Sequence, residues 1–296
     1  MVACDPVARL RAKLRISNPL YVNLLSEFYG TALLLVLGLA IVMQFILTSE
    51  KMNTWININV GWGFAITFCV YCCSKTSGGH FNPAISLVMV TFGRLSVKHF
   101  LLYSLVQTLG AFVGAAIAYG VYRDQFLHYY AEAGIEGDWI VHGLFGTAGC
   151  FCSFSKDYVS NYTNFIDQFI GTGLLALFVA VIIDKRNKIP DVAHPLLFGL
   201  VLIMIGCAYG MNLGYPINPA RDLGPRLFAY FLYGGEVFTQ GGYYFWVPII
   251  APLPGALFGA WSYHFFVGAH IPDTIEDREI NYIKEAEMMP LKKNEA

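Results

Sequence analysis

Along the chain, charged residues cluster between long uncharged stretches instead of alternating with apolar ones. Six stretches carry no Asp, Glu, Lys or Arg: Phe28 to Ser49, Met52 to Ser74, Phe100 to Tyr122, Gln168 to Ile183, Pro195 to Ala220, and Val237 to Pro272. Each is predicted to hold a spanning helix, since about 20 apolar residues cross the hydrocarbon core of a bilayer. The fourth is short between Asp167 and Asp184, so its ends should borrow interfacial residues such as Tyr162 and Phe165. Two further stretches are apolar but too broken to span. Ser77 to Gly93 is interrupted by Gly78, Gly79 and Pro83, and Gly214 to Tyr233 by Pro216, Pro219 and Pro225. The pattern predicts an all-α membrane protein of six transmembrane helices and two re-entrant half-helices.

The segments repeat. Glu27-Phe-Tyr-Gly-Thr-Ala-Leu-Leu resembles Gln168-Phe-Ile-Gly-Thr-Gly-Leu-Leu, His80-Phe-Asn-Pro-Ala resembles Pro216-Ile-Asn-Pro-Ala, and Gly110-Ala-Phe-Val-Gly-Ala resembles Gly255-Ala-Leu-Phe-Gly-Ala. The three matches keep their order. Each half holds three spans, an odd number, so the second half enters the bilayer upside down and related sites meet near the midplane. The expected organisation is a tail 1–19, a channel domain 20–272 and a tail 273–296. Within the channel domain, repeats of about 20–122 and 164–268 flank a loop 123–163.

Composition sharpens this. The 296 residues are 56% hydrophobic and only 13% charged, about half the charge of a soluble domain, so lipid must be part of the solvent. Net charge is −1, and no basic stripe suggests nucleic acid. Lys and Arg set the orientation. Arg9, Arg11, Lys13 and Arg15 precede the first span, and Lys185, Arg186 and Lys188 follow the fourth, whereas the long loop has only Arg123 and Lys156. Both termini are therefore expected in the cytoplasm, with the plasma membrane as host. The tail after Pro272 mixes acids and bases and reads as a solvated end. No cleavable signal peptide is expected, because the first apolar run comes late and is long. Among the cysteines, Cys69, Cys72, Cys73 and Cys207 lie in apolar stretches and Cys4 near the start. Cys150 and Cys152 are expected in an aqueous loop, and a structural or incidental role is expected for the cysteines over any redox function.

The candidate chemistry sits on Asn82-Pro83-Ala84 and Asn218-Pro219-Ala220. Asn is a good N-cap and Pro is favoured at the first helical position, so each motif starts a helix. Inversion then points the two helix N-termini at each other. Each brings partial positive charge from unpaired amides, and each Asn adds amide donors. Such a waist should repel cations and protons while a neutral hydroxyl or water accepts its hydrogen bonds.

At these residues, from about Val22 to Gly268, the sequence resembles the aquaporin family. That resemblance implies a homotetramer with one pore per subunit. Arg221-Asp222-Leu223-Gly224-Pro225-Arg226 and Pro252-Leu253 resemble the glycerol-conducting branch, with Asp222, Arg226, Pro252 and Leu253 as its markers; an extended loop around Tyr230 to Gly242 is a weaker match. Transferring the family's spacing places a selectivity filter at Trp62, Gly206, Tyr215 and Arg221. Trp62 and Tyr215 would face the carbon edge of glycerol and Arg221 its hydroxyls. Gly206 would widen a ring that strict water channels narrow with His.

Other polar residues within the apolar stretches are expected to be scaffold. Glu27 and Gln168 resemble the family's pair that braces the half-helix loops, and Gln107 reads the same way. His80 either holds its loop by hydrogen bonds or titrates near pH 6.5 and alters the cytoplasmic pore width. Asn161-Tyr162-Thr163 fits a glycosylation sequon close to the fourth span. The Gly-Ala-x-x-Gly-Ala patches on spans three and six allow close helix approach.

The expected activity is passive conduction of glycerol, water and other small uncharged solutes, urea among the candidates, with ions and protons excluded and no cofactor or metal. A water-only channel of the same fold is disfavoured by Gly206 and Asp222. A coupled secondary transporter would place an ion ligand at the midplane, and an enzyme would need a nucleophile or base at pore depth.

Overall fold

The computed structural model describes residues 5–135 and 139–273; Cys4 and the tail 274–296 lie outside the described residues. The regular elements among them are helical. A short exposed helix α1 (Pro6–Leu14) leads into α2 (Pro19–Leu47), α3 (Trp55–Cys73), α4 (Pro83–Thr91) and α5 (Val97–Glu132). The second half contributes α6 (Asn161–Ile183), α7 (His194–Ala208) and α8 (Pro219–Tyr233). The last crossing is assembled from α9 (Glu236–Tyr243), α10 (Val247–Ile250) and α11 (Pro252–Phe266). Among the described residues, six helical stretches are long and apolar enough to span. The protein is an integral membrane protein.

Burial is inverted relative to a soluble bundle. On α5, Leu101, Leu105 and Leu109 are exposed while Gln107, Gly110, Ala111 and Gly114 are buried. Large apolar side chains face lipid and small ones let helices approach, since water no longer drives Leu inward. Packing partners occur in symmetric pairs: α2 on α5 and α6 on α11, α2 on α3 and α6 on α7, and α8 on α5 and α4 on α11. Close approach repeats too. A Cβ on Gly110 would lie 2.3 Å from the Phe28 carbonyl oxygen, and one on Gly255 2.3 Å from that of Phe169. Phe28 and Phe169 occupy matching places in the repeated segments.

Several elements depart from the sequence reading. Helix α5 continues past Tyr122 to Glu132, because Arg123 and Asp124 mark the edge of lipid without interrupting helical hydrogen bonding; Phe126 and Tyr130 on the extension are buried. Helix α7 stops at Ala208, and the chain then turns through Gly214 (φ 77°) towards the second half-helix. The segment around Tyr230 to Gly242, expected as an extended loop, is largely helical up to a kink at Gln240, Gly241 and Gly242. Cys150 and Cys152, expected in water, are buried at 0% and 1% exposure, because their loop folds back over the helix ends. Burial pushes the Cys152 thiol up to about 12.

Candidate functional site

The two half-helices meet at their N-termini. Asn82 caps α4, its Oδ1 accepting from Ala84 N (2.9 Å), and Asn218 caps α8, accepting from Ala220 N (3.0 Å) and Arg221 N (3.2 Å). Each Asn then reaches across to the other motif. Asn82 Nδ2 donates to the Ile217 carbonyl (2.9 Å) and Asn218 Nδ2 to the Phe81 carbonyl (2.8 Å). A carboxamide has two N–H groups, so this reciprocal clasp leaves one on each Asn. The expected crowd of unpaired amides is thereby thinned: the caps occupy three first-turn N–H groups, and the side-chain donors remain.

Phe81 and Ile217, the residues that precede the two motifs, both have positive φ (51° and 33°). Non-glycine residues hold such conformations where the surroundings over-determine them. Here the brace comes from the repeated polar pair. Glu27 Oε2 accepts from Phe81 N (2.8 Å), and Gln168 Oε1 accepts from Ile217 N (2.9 Å). Glu27 also accepts from Ser77 Oγ, His80 N and Gln107 Nε2. His80 Nδ1 pairs with Ser86 Oγ at 3.1 Å, and Gln107 Nε2 also donates to Ser86 Oγ.

One cavity of about 750 Å³ runs past this waist. Lys75, Arg94 and Lys185 line it at the face where the described chain begins and ends, Asn82 and Asn218 at mid-depth, and His142 and Lys156 at the opposite face. On the far side of the waist, Trp62, Tyr215 and Arg221 line it together. The Arg221 guanidinium lies 5.0 Å from the Trp62 ring centroid, and its Nη1 donates to the Phe151 carbonyl (3.0 Å). Gly206 is absent from the lining. A Cβ there would lie 2.6 Å from Tyr215 Cζ, so the glycine makes room for the tyrosine ring, and that ring forms the wall.

Residues 15–263 match the Major intrinsic protein family. The chain belongs to that family. Aquaporin-9 of Mus musculus is 40% identical over 260 residues, covering 87% of this chain and 86% of its own length. Aquaglyceroporin-3 of Trypanosoma brucei brucei is 39% identical, covering 83% and 79%. The X-ray structure of the aquaglyceroporin from Plasmodium falciparum superposes with a TM-score of 0.74 at 28% identity, covering 85% of this chain and 98% of that one.

Within this major intrinsic protein, Asp222 and Arg226 form a fully buried ion pair one turn apart on α8, with contacts of 2.6 and 2.9 Å. The pair grips the loop after α5: Asp222 Oδ2 accepts from Ser153 N (2.8 Å) and Oγ (2.6 Å), and Arg226 Nη2 donates to the Ser153 carbonyl (2.6 Å). Phe151, two residues earlier, is thereby held where its carbonyl receives Arg221. Pro252 begins α11, and Leu253 packs against the apolar cluster shared by α4, α6 and α11, both away from the cavity lining. Asn161 opens α6, and its Nδ2 donates to the carbonyls of Gly241 (3.5 Å) and Gly242 (3.3 Å).

The sequence reading missed Trp55, Asn59, Phe151 and Ser153. Trp55 and Asn59 stand seven and three residues before Trp62, on the same face of α3, a spacing that could have flagged them. Phe151 acts through its main-chain carbonyl, which leaves no mark on a sequence.

Proposed function

We propose that this protein is a passive transmembrane channel for glycerol, water and other small uncharged solutes that excludes ions and protons. The observation that carries the reading is a single cavity that passes both the paired Asn waist and the Trp62–Tyr215–Arg221 constriction. Glycerol has a carbon edge and a hydroxyl edge. Trp62 and Tyr215 offer aromatic surface to the first, and the Arg221 fork, with Nη1 fixed on Phe151, offers its remaining N–H groups to the second. A cation entering there would shed water and find donors where it needs acceptors. It would in addition meet the Arg221 charge, and stripping its hydration costs several kcal/mol.

A coupled transporter would need an ion ligand at the waist. Glu27, the acid bound beside the first motif, is fully buried and saturated by four donors, which supports the channel reading. Lys75, Arg94 and Lys185 at one mouth, on the same side as the described ends of the chain, support cytoplasmic termini. Family membership supports a homotetramer with one pore per subunit, and the plasma membrane is its proposed site. Because the Asn161 amide is already engaged with Gly241 and Gly242, we read Asn161 as a helix-end residue, not a glycan acceptor.

Light-scattering swelling of liposomes holding the purified protein tests the proposal. Glycerol and water gradients should each drive fast volume change, with no steady ionic current across a planar bilayer. Glycerol permeability equal to that of empty liposomes, or an ionic current, overturns it. Arg221→Val should preserve solute flux and admit a cation or proton leak; a tight Arg221→Val channel removes Arg221 from the barrier.

A further inference from the structure

Three side chains converge on Gly206, and two of them bury a polar atom that has no partner. Trp55 Nε1 donates to the Gly206 carbonyl (3.1 Å), and the Trp55 ring meets the Tyr215 ring edge-on at 5.9 Å. A Cβ on Gly206 would lie 2.6 Å from Asn59 Oδ1 and 2.6 Å from Tyr215 Cζ. Asn59 Oδ1 therefore lies within roughly 5 Å of Tyr215 Cζ, the ring carbon that bears the hydroxyl, close enough for one water to join the two polar groups. Asn59 is fully buried; its Nδ2 has only a weak contact to Cys207 Sγ at 3.6 Å, and its Oδ1 is unpaired. The Tyr215 hydroxyl is buried and unpaired as well. Turning the amide over would give Cys207 an acceptor and still present one polar atom towards Tyr215. Buried polar atoms are nearly always hydrogen-bonded, because leaving one bare is costly.

We propose that Asn59 is a positioning residue of the constriction. Through one bridging water, its amide anchors the Tyr215 hydroxyl across Gly206 and so limits the size of polyol that passes. This rests on reading Trp62, Tyr215 and Arg221 as the filter. Trp55, Asn59 and Trp62 share one face of α3, so a single helix supplies one wall of the constriction and the support for the ring opposite. Without the anchor, Tyr215 is held by apolar packing, by its edge contact with Trp55 and by its seat on Gly206, none of which fixes the hydroxyl, and the ring can swing outward. Glycerol already fits and changes little; a four-carbon polyol gains.

The full-length protein in liposomes is assayed by swelling in glycerol, erythritol and water gradients. If the wild-type protein fails to conduct glycerol, the filter reading itself fails, whatever the variants do. Given a conducting wild type, Asn59→Leu and Tyr215→Phe should each raise the erythritol-to-glycerol permeability ratio roughly threefold to tenfold. The double variant should go no further than either single, because both remove the same bridge. Should Asn59→Leu not fold, Asn59→Ala removes the same amide with less bulk. An unchanged ratio, multiplied effects in the double variant, or an equal fall in water, glycerol and erythritol flux for the Asn59 variants overturns the proposal.

Discussion

The two re-entrant segments reach the same waist by different braces. In the first half, one carboxylate does most of the holding: Glu27 gathers Ser77, His80 N, Phe81 N and Gln107 around a charge with 0% exposure. In the second, Gln168 gives one acceptor to Ile217 N and turns its Nε2 to Asp167 (3.1 Å). Most of the remaining hold comes from outside the membrane core, through the Asp222–Arg226 pair and the loop at Phe151 and Ser153. A buried charge is tolerable when donors saturate it, so Glu27 needs no counter-ion. The second segment carries Arg221, whose guanidinium must be aimed as well as held, and an external loop can aim it.

This difference predicts unequal costs. Glu27→Ala strands several buried donors at about 1–3 kcal/mol each, on the order of 5 kcal/mol in all, and should leave little folded protein. Gln168→Ala strands one main-chain N–H and should cost about 1–3 kcal/mol. Thermal unfolding in detergent, followed by size exclusion, compares them; equal losses would erase the contrast. Glu27→Gln should recover part of the loss, since a carboxamide still accepts from Phe81 N.

Next in size is the ion pair. Asp222→Asn or Arg226→Met alone leaves a buried charge short of its partner, a loss of about 3–5 kcal/mol. The paired change Asp222→Leu with Arg226→Met removes both charges and should cost less than either single. If the pair also aims Arg221 through the loop, every one of these variants should reduce discrimination against ions before it reduces glycerol swelling. A double variant less stable than both singles would mean that the pair contributes net attraction beyond what its desolvation costs.

Much of this was legible in the sequence, for reasons that particular residues show. Apolar run lengths, the breaks at Gly78, Pro83 and Pro216, and the doubled Asn-Pro-Ala are one-dimensional signals, and they led to six helical crossings and two half-helices. The end of α5 was misplaced because charge at Arg123 reports the edge of lipid, while helix termination depends on backbone hydrogen bonds that continue to Glu132. The burial of Cys150 and Cys152 depends on how a long loop folds over other elements, which local composition does not encode. Spacing led to Gly206, but whether a missing side chain opens the pore or seats a neighbour is a three-dimensional question. The Tyr215 ring occupies that space.

Gly206→His therefore tests a sharper idea than widening alone. Its Cβ would meet Tyr215 Cζ and Asn59 Oδ1 at 2.6 Å, so the ring must leave its seat and move towards the passage. Glycerol flux should fall about tenfold more than water flux, a difference of about 1.4 kcal/mol in barrier. Gly206→Ala should do the same more weakly. Equal losses of both fluxes would mean that the site supports folding without setting size.

The smallest effect lies where the first helices of the two halves end. Helix α2 closes on Thr48, whose Oγ1 donates to the Gln44 carbonyl, with no charge in its last turn. Helix α6 closes on Asp184, which accepts from Arg186 N (3.0 Å), Nε (2.9 Å) and Nη2 (2.7 Å) and from Tyr263 Oη (2.9 Å). Burial alone would raise the Asp184 carboxyl, but the hydrogen bonds from Arg186 and Tyr263 outweigh it and hold the group at about 2. Unfolded, an Asp titrates near about 3.9. The folded value is the lower one, so its stabilisation is complete above about pH 4 and fades as pH falls towards 2. Asp184→Asn should lower Tm by roughly 2–4 °C at pH 7, and that gap should narrow only below pH 4. Thr48→Ala at the opposite helix end should show no such pH dependence. A constant gap for Asp184→Asn between pH 7 and about pH 4 is expected as well, and narrowing already at pH 5 would mean that the carboxylate is not held down by Arg186.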